Sequence, residues 1–492
     1  MWTSENLFNL VAEKLREYLF LVVSNREPYI HNLRDGKIIY EIPPSGLTTA
    51  LDPVMRACKG IWIATGSGTA DKKVTDKDGK VLVPPGNPQY TLQRLWLTAE
   101  QEKGYYSGFS NGALWPLCHI VYKRPLFHES DWKTYKKVNS LFAAKILQEV
   151  GDRKAFVFIQ DYHLTLVARM LKEHNPNIIT AQFWHIPWPN PEAFRICPWQ
   201  KEILDGLLAN DLIGFHVRYH CNNFLETVNR SMDAFVDQEN SRVFYRGRKT
   251  QVSPFPISID FDNLSAFARK QEVKDEISRL KKQFNLTGRE IVGVGIDRFD
   301  YTKGIPDRLR AIEKFLKNNP LYLGKFVFIQ AGVASRESIK AYKEENQEID
   351  RLVKDINLKY AIGYRKPVIC LRENLSQLTL MALRRMADFC IVSSLHDGMN
   401  LVAKEYVASC YDEKGVLILS RFTGAVRELS DALLINPYAT DDFSEVIKYA
   451  VKMPAAEKKA RMNKMRGIVR ENNIYKWAAD IITEMLKMDI GA

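Results

Sequence analysis

Short, unbroken apolar runs constrain this chain more than any other feature. They fall at 20–24, 155–160, 179–184, 212–215, 291–295, 326–330, 389–393, 416–420 and 433–436. None alternates apolar with polar residues. A strand covered by helices on both faces has no solvated side, so its apolar residues run together. Amphipathic stretches lie between the runs, as where Leu309, Ile312, Phe315 and Leu316 share one face after Pro306. Strand and helix in alternation predict α/β architecture with doubly wound, mostly parallel sheets.

The rhythm comes in two blocks. With 492 residues the chain is too long for one ordinary core, so two domains are expected. The first block closes in the stretch VSPFPISID around Pro254 and Pro256, and a charged helical segment over 263–284 precedes the first strand of the second. The boundary is placed at 257, giving domains over 1–257 and 258–472 and a terminal helical segment over 473–492. Residues 5–17 read as an amphipathic helix, and 66–90, rich in Gly, Pro, Lys and Asp, as a loop or hairpin insertion. Doubly wound sheets bind ligands at the carboxyl ends of their strands. Two such domains facing each other enclose a ligand in the cleft between them.

Charge narrows the ligand class. Seventy Lys and Arg against 58 Asp and Glu leave a formal +12, which suits nucleotides and sugar phosphates. No long basic run or RNA-binding aromatic signature appears, so nucleic acid is not the expected partner. The apolar run at 19–23 is too short for a membrane span, and Glu5, Glu13, Lys14, Arg16 and Glu17 before it are wrong for a signal peptide. Seven scattered cysteines without a C-x-x-C pair read as reduced thiols in a cytoplasmic protein. His216, His220 and Cys221 lie close in sequence, but a tetrahedral site needs four ligands and no second cluster accompanies them, so no metal is expected. No G-x-G-x-x-G follows a strand, which argues against a dinucleotide-dependent dehydrogenase.

Polar residues gather where strands end. In GVGIDRFDYTKGIPDRL a strand is expected to end at Arg298, and Lys303 and Gly304 lead into a helix. Two cations beside a helix N-terminus suit a diphosphate. The alternative is a solvated loop in which Arg298 pairs with Asp297 or Asp300. In SSLHDGMNLVAKEYVA, Asp397 sits in a turn, a helix is expected to begin near Met399, and Glu405 follows on it, placed to accept from ribose hydroxyls or else to pair with a surface Lys. In the first domain Arg26, Asp161 with His163, and His185 each follow a strand. Gly46 gives PPSGLTTAL the freedom to approach a ligand, and Tyr106 and Trp115 in YYSGFSNGALWP are either core or polar-tipped ligand contacts.

Taken together, VSNR, YYSGFSNGALWP, QDYH, FWHIPWPNPE, DRFDYTKGIPDR and HDGMNLVAKEYVA resemble, in order and spacing, the trehalose-6-phosphate synthases. The resemblance runs from about Leu21 to the C-terminal helix. It implies the GT-B fold, two Rossmann-like domains facing across a cleft, and retaining glucosyl transfer. It implies an N-terminal acceptor domain, a C-terminal nucleotide-sugar domain, and a last helix that returns to the first. On the donor side it implies Arg298 and Lys303 on the diphosphate, Glu405 on the ribose, and Asp397 with the amides of Gly398, Met399 and Asn400 on the transferred glucose. Leu401 and Val402 open the helix facing the diphosphate, His185 lies near the reacting centre, and Gly46 lies near the donor. On the acceptor side it implies Arg26, Tyr106, Trp115 and Arg336 around the phosphate of glucose 6-phosphate, and Trp62 and Asp161 on its sugar. Arg336 in GVASRES is expected to reach across the cleft to the phosphate held by Arg26, as an Arg fork suits a phosphate dianion.

Departures sit beside these pockets. The loop after Trp62 reads ATGSGTADKK, the insertion carries VPPGNP, and Trp184 and Trp188 stand at positions more often apolar or Phe. The expected reaction takes nucleotide-glucose, with UDP the favoured base, and glucose 6-phosphate to trehalose 6-phosphate, with no cofactor. Glycerol 3-phosphate as acceptor and a non-catalytic sugar-phosphate sensor are the alternatives. A homo-oligomer is compatible with the sequence, which carries no count of subunits.

Overall fold

A computed structural model describes residues 1–43, 46–334, 336 and 339–489. The chain divides into two compact units, Met1–Ile257 with Ile474–Ala492, and Ser258–Asn473.

The first unit is built on one long sheet. Its strand order is Phe235–Asp237, Arg242–Tyr245, Arg248–Pro254, Leu212–Phe215, Ile179–Phe183, Ala155–Gln160, Leu19–Arg26, Ile61–Thr65, Tyr90–Leu95 and Lys80–Val83. Pairing is parallel from Arg248–Pro254 through Tyr90–Leu95. The flanking strands pair antiparallel. The central strands are the unbroken apolar runs of the sequence; Ala155–Gln160 and Ile179–Phe183 are buried at every position. The topological switch lies where Leu19–Arg26 is flanked by Ile61–Thr65 and Ala155–Gln160. A crevice opens at such a switch because the crossovers leave on opposite faces.

The second unit has an all-parallel sheet ordered Val368–Leu371, Phe326–Ala331, Ile291–Ile296, Phe389–Val392, Val416–Ser420 and Leu433–Ile435. Its switch lies between Ile291–Ile296 and Phe389–Val392. The core beneath includes Leu309, Ile312, Phe315 and Leu316, the face expected of the helix Ile305–Asn318. The final helix, Ile474–Asp489, belongs to the first unit: Trp477 packs on Phe158 and Phe183, and its indole N–H donates to Phe255 O at 3.2 Å.

Of the two readings of 66–90, a loop or a hairpin insertion, the hairpin is the one observed. The stretch carries the helix Asp71–Val74 and the edge strand Lys80–Val83, and it runs into Tyr90–Leu95 as a continuation of the sheet. The charged segment over 263–284 is two helices, Phe261–Phe267 and Gln271–Gln283. The N-terminal helix spans Ser4–Lys14, capped by Thr3, whose hydroxyl accepts the Asn6 N–H at 3.1 Å. Lys103–Leu114, unassigned from sequence, winds as a π-helical stretch that continues into the helix Trp115–His119.

Candidate active site

At the switch of the first unit, Arg26 ends its strand opposite Thr65. Its guanidinium donates to the Tyr106 hydroxyl at 2.9 Å and lies 6.0 Å from the centre of that ring. The Tyr106 ring stacks on His163, centroids 5.7 Å apart. The π-helical turn carrying Tyr106 is pinned by Asn111, whose amide donates to Tyr106 O at 2.8 Å and accepts from the Tyr162 hydroxyl at 2.8 Å. Trp115 packs against Tyr162 and His119.

Asp161 follows the end of the neighbouring strand Ala155–Gln160 and adopts φ 70, a left-handed conformation that costs a non-glycine residue free energy. Its N–H donates to Phe183 O at 2.7 Å, its carbonyl accepts from Gln182 at 2.7 Å, and its carboxylate accepts the His185 N–H at 3.2 Å. The His185 ring donates through Nε2 to Gln160 Oε1 at 2.9 Å. Burial, with His163 nearby, pushes the His185 imidazole down to about 3, so it is neutral at physiological pH. A neutral imidazole here exchanges hydrogen bonds with hydroxyls but supplies no cation.

Two sequence readings change here. Trp62 is fully buried, and its indole N–H donates to Ser24 Oγ at 2.8 Å. It sits mid-strand in the core and offers no surface to a sugar; the residue at that strand's end is Thr65. Gly46 is not a free loop residue but opens the helix Gly46–Cys58, exposed; its neighbours Pro44 and Ser45 lie outside the described residues. His216 Nε2 donates to His185 O at 3.1 Å. Among the described residues no three His, Cys, Asp or Glu side chains converge as a metal set.

In the second unit the strand stops at Ile296, two residues before Arg298. Tyr301–Lys303 forms a 3-10 turn, and Gly304, at φ 59, turns the chain into the helix Ile305–Asn318. A Cβ there would lie 2.4 Å from Ser393 O, so only glycine fits. Lys303 Nζ reaches the Asp397 carboxylate at 2.6 Å. Asp397 also accepts from Ser394 Oγ at 3.1 Å and from the Asn400 amide at 3.2 Å. Asn400, not Met399, precedes the helix Leu401–Ser409 and caps it, accepting the Ala403 N–H at 3.1 Å. The turn at Gly398 packs so closely on Gly424 that a Cβ on the latter would come within 2.0 Å of Gly398 O. Met399 and Asn400 are buried, and Leu401 and Val402 are half-buried.

Arg298 lies 3.8 Å from Asp300, the pairing that the sequence left open. Arg336 lies 3.6 Å from the same carboxylate and donates to the Tyr342 hydroxyl; Ser335, Glu337 and Ser338 beside it lie outside the described residues. Burial raises the Asp300 carboxyl, but Arg336, Arg298 and Lys303 outweigh it and hold it below the ordinary carboxylate range. Glu405 pairs with a buried Arg384 rather than with a surface Lys.

Sequence reasoning missed the residues that hold these groups in place. Arg308, fully buried, pairs with Asp297 at 2.8 Å and donates to Gln330 at 2.7 Å and to Ser393 Oγ at 3.0 Å. Ser393 in turn donates toward the carbonyls of Lys303 and Gly304 at 3.0 and 2.9 Å. Arg308 and Arg384 share one signal: a charged residue on the buried face of its helix must find a buried partner.

The family model described as glycosyltransferase family 20 matches residues 18–487. A UDP-forming alpha,alpha-trehalose-phosphate synthase of Candida albicans is 34% identical over 472 residues, covering 95% of this chain and 97% of the relative. A trehalose-6-phosphate synthase of Mycolicibacterium gilvum is 36% identical over 473 residues, covering 94% and 92%. The crystal structure of a UDP-forming alpha,alpha-trehalose-phosphate synthase from Burkholderia xenovorans in complex with glucose-6-phosphate superposes with a TM-score of 0.84 at 27% identity, covering 95% of this chain and 100% of that one. An E. coli trehalose-6-phosphate structure bound with UDP-2-fluoro glucose gives 0.83 at 29% identity, covering 95% and 99%. The two Rossmann-like units are those of the GT-B fold class.

Proposed function

Because the chain belongs to glycosyltransferase family 20, the trehalose-6-phosphate synthase family, we propose that it moves glucose, with retention of configuration, from UDP-glucose to glucose 6-phosphate. The products are trehalose 6-phosphate and UDP. The observation that carries the donor half is the meeting of Lys303 and Asp397 at the switch of the second sheet, with Arg298 in the preceding loop. Relatives named UDP-forming, and the E. coli structure bound with UDP-2-fluoro glucose, support the choice of nucleotide. The Burkholderia complex with glucose-6-phosphate supports the acceptor.

In this reading Arg298 and Lys303 lie on the donor diphosphate. The N-terminus of Leu401–Ser409 adds its partial positive charge, and Glu405 takes the ribose hydroxyls. Asp397 and the amides of Gly398, Met399 and Asn400 hold the transferred glucose. Neutral His185 accepts or donates at a glucose hydroxyl near the reacting carbon. Arg26, Tyr106, Trp115 and Arg336 take the acceptor phosphate, Asp161 takes the acceptor sugar, and Gly46 lies near the donor. The bond from the anomeric carbon to the diphosphate breaks first. The acceptor hydroxyl then adds from the same face, and its proton passes to the departing diphosphate. The protein orients the partners and offsets the charge growing on the leaving group.

The burial of Trp62 favours one second reading, glycerol 3-phosphate as acceptor, because one expected sugar contact is absent. UDP release from UDP-glucose with glucose 6-phosphate, with glycerol 3-phosphate and with neither separates the two. Release that depends on glucose 6-phosphate supports the proposal; release that depends only on glycerol 3-phosphate replaces it.

A further inference from the structure

Immediately after Arg26 the chain buries a carboxyl group that the reaction as described does not use. Glu27 Oε2 accepts from Arg94 Nε at 2.6 Å, and Glu27 Oε1 accepts from the Ser67 N–H at 2.8 Å and the Ser67 hydroxyl at 3.0 Å. Asp71, fully buried, accepts that same Ser67 N–H at 3.0 Å and the Gly68 N–H at 2.6 Å, and lies 3.0 Å from Arg94 Nη2. The His31 N–H donates to Asp71 at 2.8 Å, and Arg94 Nη2 donates to His31 Nδ1 at 2.9 Å. Two carboxyl groups therefore share one amide and one guanidinium, sealed from water. The charged and titratable groups facing them are Arg94 from the strand Tyr90–Leu95 and His31 from Ile30–Arg34.

One guanidinium balances one carboxylate. Two ionised carboxylates in such a site leave an uncompensated buried charge, which burial penalises, so one of the pair keeps its proton. Burial, chiefly, raises Glu27 to about 8, while Asp71 is held low: burial opposes that, but hydrogen bonds from His31 and Glu27 and the charge of Arg94 prevail. The pair holds the amides of Ser67 and Gly68, which lie beyond the strand paired with Arg26, so those amides serve the protein's own carboxyl groups. It also anchors the residue next to Arg26 while the Arg26 side chain projects to Tyr106.

We propose that the Glu27–Asp71 pair, bridged by Arg94, positions Arg26 for the acceptor phosphate, so that acceptor binding requires the pair to keep one proton. The inference rests on the acceptor role given to Arg26 above. Loss of the proton places a second negative charge beside Asp71 and next in sequence to Arg26. The turn at 66–68 and the Arg26–Glu27 backbone then relax, and the phosphate is held less well. Donor binding, in the other unit, is untouched.

The test measures KM for glucose 6-phosphate and for UDP-glucose between about pH 7 and pH 9 in the wild type, Glu27→Gln, Asp71→Asn and Arg26→Ala. A group titrating near 8 is roughly nine-tenths ionised one pH unit higher, so the wild-type acceptor KM rises up to about tenfold while the donor KM stays level. Glu27→Gln cannot ionise, and Asp71→Asn removes the need for a shared proton, so either variant flattens the acceptor profile. A level wild-type acceptor KM overturns the inference without any variant, as does the same rise in wild type and Glu27→Gln. An Arg26→Ala enzyme with wild-type acceptor KM at pH 7 refutes the acceptor reading itself, a failure distinct from parallel pH profiles with Arg26→Ala impaired.

Discussion

Replacing Arg298 with Ala separates a catalytic cation from a structural one. The Arg298 side chain is 28% exposed, and its ion pair with Asp300 is long, at 3.8 Å. Asp300 keeps other partners without it: the Thr302 N–H at 3.0 Å, the Thr302 hydroxyl at 2.9 Å, the Tyr342 hydroxyl at 3.3 Å and Arg336 at 3.6 Å. A partly exposed pair of this kind contributes about 0–1 kcal/mol to stability, so Tm falls by no more than about 4 °C. On the reaction the loss is larger. A unit charge about 4 Å from a developing oxyanion, at an effective dielectric near 20, is worth roughly 4 kcal/mol. Deletion of one preorganised donor costs about 2.7–4 kcal/mol elsewhere. Arg298→Ala therefore lowers kcat by roughly two to three orders of magnitude, read as UDP release with both substrates saturating and Tm measured alongside. Arg298→Lys recovers part of it, because the charge returns without the planar fork. A variant within about tenfold of wild-type kcat at unchanged Tm refutes the diphosphate role. A collapse of Tm refutes the separation of catalytic from structural work.

Further outcomes follow from the same geometry. Arg384→Met releases the Glu405 carboxylate and raises the UDP-glucose KM about tenfold, near 1.4 kcal/mol, with the glucose 6-phosphate KM unchanged in the same assay. Gly304→Ala costs roughly 2 kcal/mol or more, read by urea unfolding, because it adds a Cβ at φ 59 against Ser393 O. The folded-state value of His185, about 3, lies below its value in an unfolded chain, so the unfolded state binds the proton first as pH falls. Stability linked to His185 is intact above about pH 6.5 and declines below it, and His185→Gln removes that part of the decline in Tm between about pH 7 and pH 5.

The sheets were legible in the sequence because a strand covered on both faces must be apolar throughout, and nine such runs lie on strands within a residue or two. Half-buried and edge strands were not. Lys80–Val83 lay in a stretch whose Gly, Pro and Asp read as a loop or a hairpin, and Lys37–Glu41 alternates too weakly to announce itself. The positions of Arg26, Lys303 and Asp397 at or beyond strand ends were legible because each follows an apolar run. Trp62 was misplaced for the opposite reason: an aromatic residue near a motif looks like a contact until its strand register puts it in the core. The partners Arg384, Arg308, Arg94 and Glu27 come from distant segments, and a single sequence gives no distance between segments.

The most direct test of the account is the NMR spectrum of the product isolated from UDP-glucose and glucose 6-phosphate. Retaining transfer to glucose 6-phosphate gives a non-reducing disaccharide 6-phosphate with both anomeric centres in the α configuration. A β-linked product, or a spectrum showing only unreacted glucose 6-phosphate and released glucose, contradicts it.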